Sequence, residues 1–336
     1  MQVGDYEIID RIGLGGSGEI FRAHHVDSSP DKTVVIKRLL ARLRNDETAR
    51  DNFMTEADLG RRLQHPNLIR QLSVGIEQDD LFLVLQYIDG PNLFTLLERL
   101  RSLRQAPVGY VAGYIVSQLL QGLHFAHELK GAHGTDLGLV HRDVNPHNIL
   151  LSSNGAVVLA DFGVARLQGL EGGRAEEAAF GKLGYLSPEQ LLGKPIDRQS
   201  DIFACGVIAY ELFVGIHPFV MRHDRDEDVS KRILDGQFPD PNLALPTLPP
   251  GLGDILRRSL QTKPRRRFST AHEMNEALVR YIPNVREARH VLSQQLRQLF
   301  PPEPLPLAPG KVAATHRRNA TAPLVGSLPK RADRER

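Results

Sequence analysis

LVHRDVNPHNILL, residues 139–151, decides how this chain is read. Apolar residues flank a core of His, Arg, Asp and Asn that no interior accepts unpaired. Pro146 excludes regular helix and fixes a loop, with Asp143 and Asn148 five residues apart. Thirteen residues after Asn148, Asp161 closes the apolar strand-like run VVLADFG. A carboxylate at a strand end can reach outward to a cation while Phe162 turns inward. Asn148 and Asp161 are hard oxygen donors suited to magnesium bridging substrate phosphates. Asp143 is then free to accept a hydroxyl proton. A cap or turn role would explain any one of these acids but not their joint spacing.

Upstream, IGLGGSGEIF sets Gly13, Gly15 and Gly18 in GxGxxG spacing before Ile20. Glycines let the backbone approach phosphates and present N–H groups to them. Alone the pattern fits a dinucleotide-binding loop or an ordinary turn equally well. A dinucleotide loop needs a helix directly afterwards, and EIFRAHHV instead continues as strand, which favours a glycine-rich flap between antiparallel strands. Lys37 ends the apolar strand VVIK, where a bare ammonium is costly without an anion. Glu56, in FMTEADLGRRLQHPN, is the candidate partner; a lysine snorkelling to the surface is the alternative.

Together these motifs resemble the eukaryotic-type (Hanks-type) serine/threonine protein kinases of bacteria, over about residues 6–282. The resemblance implies a bilobal α+β protein-kinase fold, with a small β-rich lobe and a larger, mainly helical one. It implies ATP and Mg2+ as cofactors and protein substrates. By resemblance, Lys37 orients phosphates and pairs with Glu56, Asp143 is the catalytic base, and Asn148 and Asp161 bind the metal. The adenine site would draw on Ile12, Ile20, Val35, Leu85 as gatekeeper, Gln86 to Ile88 as hinge, and Leu150, with Gly13, Gly15 and Gly18 over the phosphates. Glu189 in SPE should pair with Arg267, and Asp201 should anchor the catalytic-loop backbone.

The texture of the chain agrees. Strand-like runs occupy 6–26, 33–40, 68–76 and 81–87, interrupted by a helix over about 46–64 with Phe53, Leu59 and Leu63 on its apolar side. YIDGPN breaks the pattern, and helices follow at 93–104, 107–129 and 200–214, with shorter ones up to 282. The expected division is a small lobe at about 6–87, a hinge at 86–91, a large lobe at 92–282, and a helical extension at 283–300. Residues 301–336 read as a disordered, Pro-rich tail carrying seven Lys or Arg against three acids. The net charge of +2 gives no general reason to expect nucleic acid. One cysteine, Cys205, excludes an internal disulfide and reads as a buried core thiol in a reducing compartment. No signal peptide or membrane span is visible, so a cytoplasmic location is expected.

The chain departs from the family in several places. Asn145 stands where these kinases carry a lysine that touches the γ-phosphate, and Lys182 stands where a threonine normally contacts the catalytic aspartate. This pair is expected to be a charge swap in which Lys182 supplies the missing ammonium; a solvated Lys182 and a slow enzyme is the alternative. From Asp161 to Leu183 no Ser, Thr or Tyr occurs, so phosphorylation of that segment cannot activate the chain before Tyr185. Glu176 or Glu177 is expected to stand in for a phosphate near Arg142. Gly60 and Gln71 replace usually large apolar residues, which predicts a loosely held helix and leaves room for a regulatory partner or dimer. KGAHGTDLG, residues 130–138, reads as an added surface hairpin or loop. The competing functions are a nucleotide-binding pseudokinase scaffold, favoured by Asn145, and a small-molecule phosphotransferase, disfavoured by SPE and Arg267.

Overall fold

The structure, a computed structural model, describes residues 2–15, 18–27, 32–77, 80–105, 107–162 and 182–301. The expected glutamate substitution at Glu176 or Glu177 and the expected disordered tail beyond Pro301 lie outside those residues.

The small lobe is an antiparallel sheet. Strands β1 (Gln2–Val3), β2 (Tyr6–Leu14), β3 (Gly18–His25), β4 (Thr33–Leu39), β5 (Gln71–Glu77) and β6 (Asp80–Gln86) lie in the order β1-β2-β3-β4-β6-β5. Alternation selects the buried side: Phe21, Ala23 and Ile36 join Val3, Phe82 and Val84 in one cluster. The glycine-rich segment joins β2 to β3, which pair antiparallel, so the flap reading holds. Helix α1 (Glu47–Arg62) begins where Asp46 accepts the Ala49 N–H, and it buries Phe53, Ala57 and Leu59. Only β5 begins later than its hydrophobic run. The Ile69 N–H donates to the Leu159 carbonyl at 2.9 Å, and the Leu159 N–H donates to the Asn67 carbonyl at 2.8 Å. Residues 67–69 are thus spent on the large lobe before the sheet resumes.

The large lobe is built on two apolar helices. α2 (Leu93–Ser102) is capped by Asn92, and α3 (Gly109–His127) is buried on nearly every face, as a central helix must be. A two-stranded hairpin follows, β7 (Ile149–Leu151) with β8 (Val157–Leu159). Then come α4 (Pro188–Leu191), α5 (Arg198–Val214), α6 (Asp226–Asp235), α7 (Pro241–Ala244), α8 (Leu252–Ser259), α9 (Ala271–Leu278) and α10 (Val285–Leu299). α5 stops at Gly215, whose φ of 84° is left-handed. α3, α5, α8 and α9 pack together around one continuous core that includes Cys205. Burial pushes the Cys205 thiol pKa well up, so it stays protonated and inert. No helix among the described residues is long and apolar enough to cross a membrane. The added segment is a surface loop: Lys130 bridges to Asp136, and Arg62 of α1 donates to the Lys130 carbonyl.

The strap between the lobes is fastened to one of them. Ser152 Oγ donates to Asp89 Oδ1 at 2.6 Å, and Ser153 Oγ donates to the other carboxylate oxygen. The Leu151 N–H donates to the Pro91 carbonyl at 2.9 Å. A Cβ on Gly90 would lie 2.1 Å from the Leu151 carbonyl oxygen, so only glycine permits this approach.

Arg267, 1% exposed, holds the lower lobe together. Its guanidinium donates to both oxygens of Glu189 at 2.7 and 2.8 Å. It also donates to the carbonyls of Gln261, Gln199 and Thr262. Burial raises the pKa of Glu189, but Arg267 and Ser200 outweigh it and hold the carboxyl below its ordinary value. Arg267→Met should therefore cost about 3–5 kcal/mol by stranding a buried carboxylate, read as a lower denaturant midpoint at pH 7.

Candidate active site

A cavity of about 490 Å³ separates the lobes. Ile12, Ile20, Val35, Lys37, Leu85, Gln86, Ile88 and Leu150 all line it, together with Glu56, Asn148 and Asp161. Gly13, Gly15 and Gly18 are not among its lining residues; Gly13 lies in β2, Gly18 begins β3, and the Gly15 N–H between them donates to the Gly18 carbonyl at 2.8 Å. The lining also takes in Leu59, Gly60, Leu63, Ile69, Gln71, Leu83 and Phe162, an extent that the motifs alone did not indicate.

Lys37 reaches this cavity from β4. Its Nζ lies 2.5 Å from Glu56 Oε1 and 3.0 Å from Asp161 Oδ1. Burial opposes its charge, but Asp161 and Glu56 together hold the ammonium pKa above that of an ordinary lysine. Lys37 in turn holds Asp161 below the usual carboxylate range, so both stay ionised at neutral pH. Burial, followed by the charge of Asp161, raises Glu56 despite its contact with Lys37. Asp161 has a left-handed backbone, φ 63°, which a non-glycine residue adopts only when its surroundings impose it. Phe162 beside it is buried against His141, ring centres 4.5 Å apart.

Asp201, at the start of α5, organises the catalytic loop from below. Its carboxylate accepts the backbone N–H groups of His141 and Arg142 at 2.8 and 2.9 Å and lies 2.8 Å from His127 Nε2. The loop itself turns through a short 3₁₀ turn, Pro146–Asn148, with proline at its first position. Asn145 shapes that turn. Its Oδ1 accepts the His147 N–H at 3.0 Å, and its Nδ2 donates to Asp143 Oδ1 at 2.8 Å. Asn148 Nδ2 donates to Asp143 Oδ2 at 3.0 Å and to its carbonyl at 2.9 Å. Lys182 Nζ completes the ring, 2.9 Å from Asp143 Oδ2. Asp143 is therefore gripped by two amides and one ammonium: Asn145 orients the carboxylate, and the positive charge comes from Lys182.

Asn148 spends its amide nitrogen on Asp143, which leaves its oxygen as the donor atom on the cavity wall. Asp161 spends Oδ1 on Lys37 and keeps 49% of its side chain exposed. Among the described residues no group of three or more His, Cys, Asp or Glu could hold a metal by itself. Two oxygen donors beside an open cleft fit an ion that takes its other ligands from phosphate and water.

A protein kinase domain model matches residues 6–279. The chain belongs to the protein kinase family. Members of that family generally use ATP and magnesium. The kinase is 33% identical over 281 residues to Tyrosine-protein kinase MasK of Myxococcus xanthus, covering 83% of this chain and 43% of MasK. It is 34% identical over 284 residues to Serine/threonine-protein kinase pkn3 of the same organism, covering 81% and 49%. Among solved structures it resembles the PknI kinase domain of Mycobacterium tuberculosis, with a TM-score of 0.60, 25% identity, and coverage of 84% of this chain and 97% of that one. The chain spans less than half the length of the curated relatives named here.

The expectation of a loosely held α1 is corrected. Gln71 is buried, and its Nε2 donates to the Ala57 carbonyl at 2.9 Å, so the polar residue fastens the helix rather than freeing it.

Lys182 owes its place to the turn Leu183–Tyr185 behind it. Tyr185 Oη donates to Glu211 Oε2 at 2.6 Å, and Arg101 pairs with the same carboxylate. His217 packs edge-on to Tyr185, ring centres 5.0 Å apart. Its Nδ1 accepts the N–H groups of Phe219 and Val220, each at 3.0 Å, which requires that nitrogen to be unprotonated. Burial, aided by Arg101, lowers its pKa from 6.5 to about 3. Below pH 6.5 the unfolded chain takes a proton that the fold refuses, so stability is full above that pH and declines toward pH 3. A His217→Gln variant should lack this part of the slope when denaturant midpoints are compared between pH 7 and pH 4.5.

Proposed function

We propose that this kinase transfers the γ-phosphoryl group of ATP to Ser or Thr hydroxyls of protein substrates, with magnesium bound. One observation carries the reading: Lys37, Asn148 and Asp161 face one cleft, with Asp143 hydrogen-bonded to Asn148. The names of relatives such as pkn3 support the acceptor class. The kinase domain would occupy residues 6–282, with lobes dividing at 86–91 and α10 as an extension. A cytoplasmic location and a regulatory partner or dimer belong to the same proposal.

In this mechanism Ile12, Ile20, Val35, Leu85 and Leu150 enclose the adenine, and the backbone of Gln86 to Ile88 offers it hydrogen bonds. Gly13, Gly15 and Gly18 let the flap approach the phosphates. Lys37, oriented by Glu56, holds the α- and β-phosphate oxygens. Asn148 and Asp161 would hold magnesium, which neutralises phosphate charge. Asp143 accepts the proton of the attacking hydroxyl as its oxygen bonds to the γ-phosphorus and the bond to the β,γ-bridging oxygen breaks, its electron pair leaving with ADP. Lys182, already on Asp143, supplies at the transferring group the positive charge that Asn145 lacks.

The test is transfer from labelled ATP with magnesium to a generic protein acceptor. Asp143→Asn should abolish incorporation; undiminished incorporation would remove the base assignment, and nucleotide binding without any transfer by the native chain would favour a scaffold. Lys182→Met should lower the rate by at least ~100-fold, the scale of losing one such charged donor, whereas a loss of about threefold or less removes the swap. Phosphoamino-acid analysis should return phosphoserine or phosphothreonine. Phosphotyrosine alone would move the acceptor toward that named for MasK.

A further inference from the structure

Gly60 and Gln71, each odd on its own, meet where α1 crosses β5. A Cβ on Gly60 would lie 2.2 Å from Gln71 Oε1 and 3.1 Å from its Cδ. The glutamine therefore fills the volume that any side chain at position 60 would need. Gln71 is only 7% exposed. Its backbone is held in the sheet opposite Leu85, and its amide reaches the Ala57 carbonyl at 2.9 Å. Ala57 follows Glu56 directly, and Glu56 grips Lys37.

We infer that Gln71 is a positioning residue for phosphoryl transfer, setting the rotation of α1 at which Glu56 meets Lys37, and that Gly60 is the vacancy that admits it. The inference rests on the role proposed above for Lys37. Its physical basis is direction. Two apolar side chains meeting here would hold the helix by contact that tolerates rotation, whereas an amide-to-carbonyl bond weakens steeply off axis. The Ala57 carbonyl also accepts from the helix N–H four residues on, and a carbonyl has two lone pairs. Losing the glutamine therefore leaves no orphaned acceptor, and the expected damage falls on alignment more than on folding.

A double-mutant cycle on the full chain tests this, with Gln71→Leu, Glu56→Gln and both together. Gln71→Leu should lower kcat/KM by roughly 10- to 100-fold, the range expected for a misplacement of up to ~1 Å at the reacting groups. In the Glu56→Gln background the same change should cost less than about twofold, because its target is already gone. Equal losses in both backgrounds overturn the inference, since Gln71 would then act on the fold and not through Glu56. Should Gln71→Leu fail to fold, Gly60→Ala serves. Its new Cβ evicts the amide and should lower activity in the native background, yet be harmless beside Gln71→Ala, where the space is free and alanine is the better helix former. Equal losses there also overturn it. The two readings fail separately. Native transfer with no loss in Gln71→Leu sinks the positioning role alone. A native chain without transfer sinks the kinase mechanism, and amide hydrogen exchange across α1 then decides the positioning: faster in Gln71→Leu if it holds, unchanged if it does not.

Discussion

The cleft depends on one buried ammonium. Lys37 can be charged in that position only because Glu56 and Asp161 flank it, and each of them comes from a different part of the chain. The triad joins β4, α1 and the end of the apolar run after β8. Burying a charge is unfavourable, and a single partner seldom offsets it; two carboxylates do. The same two contacts fix where α1 lies and which way Asp161 faces. Alignment of the small lobe and orientation of the Asp161 carboxylate are therefore one electrostatic condition.

A second condition centres on Asp143. A carboxylate there needs a defined orientation and a nearby cation, and these duties are divided between Asn145 and Lys182. Asn145 binds in both directions, accepting from the loop and donating to Asp143, which a lysine could not do because its ammonium only donates. Lys182 relies in turn on the buried contacts of Tyr185, Glu211 and His217. The charge on the catalytic loop is thus answerable to the packing of α5.

Much of this was legible in sequence. The spacings among Lys37, Glu56, Asp143, Asn148 and Asp161 pointed to one shared site because polar residues in apolar runs demand a reason, and the structure brings them together. Helix spans followed from apolar periodicity, as with Phe53 and Leu59 of α1; the caps at Asp46 and Asn92 came only with the structure. What escaped is what depends on register and volume. The start of β5 could not be read from LIRQLSV, because residues 67–69 look like strand and do form strand-like bonds, but to β8. β1 was missed for its two-residue length. Gly60 and Gln71 read as two defects because no local pattern reveals that one fills the space the other leaves.

The strap at Asp89 and Gly90 carries a mechanical consequence. Asp89 is pinned by two serine hydroxyls, Gly90 lies flat on the Leu151 carbonyl, and Pro91 is bonded to the β7 backbone. On the other side the Gln86 N–H is tied to the Arg70 carbonyl at 2.9 Å. Between those fastenings lie Tyr87 and Ile88, of which Ile88 accepts only the Gly90 N–H of the strap itself, at 3.0 Å. Any turning of one lobe against the other would fall on this dipeptide, and both of its residues form part of the cavity wall. An occupant seated against them would bear on that joint as well as fill the cleft.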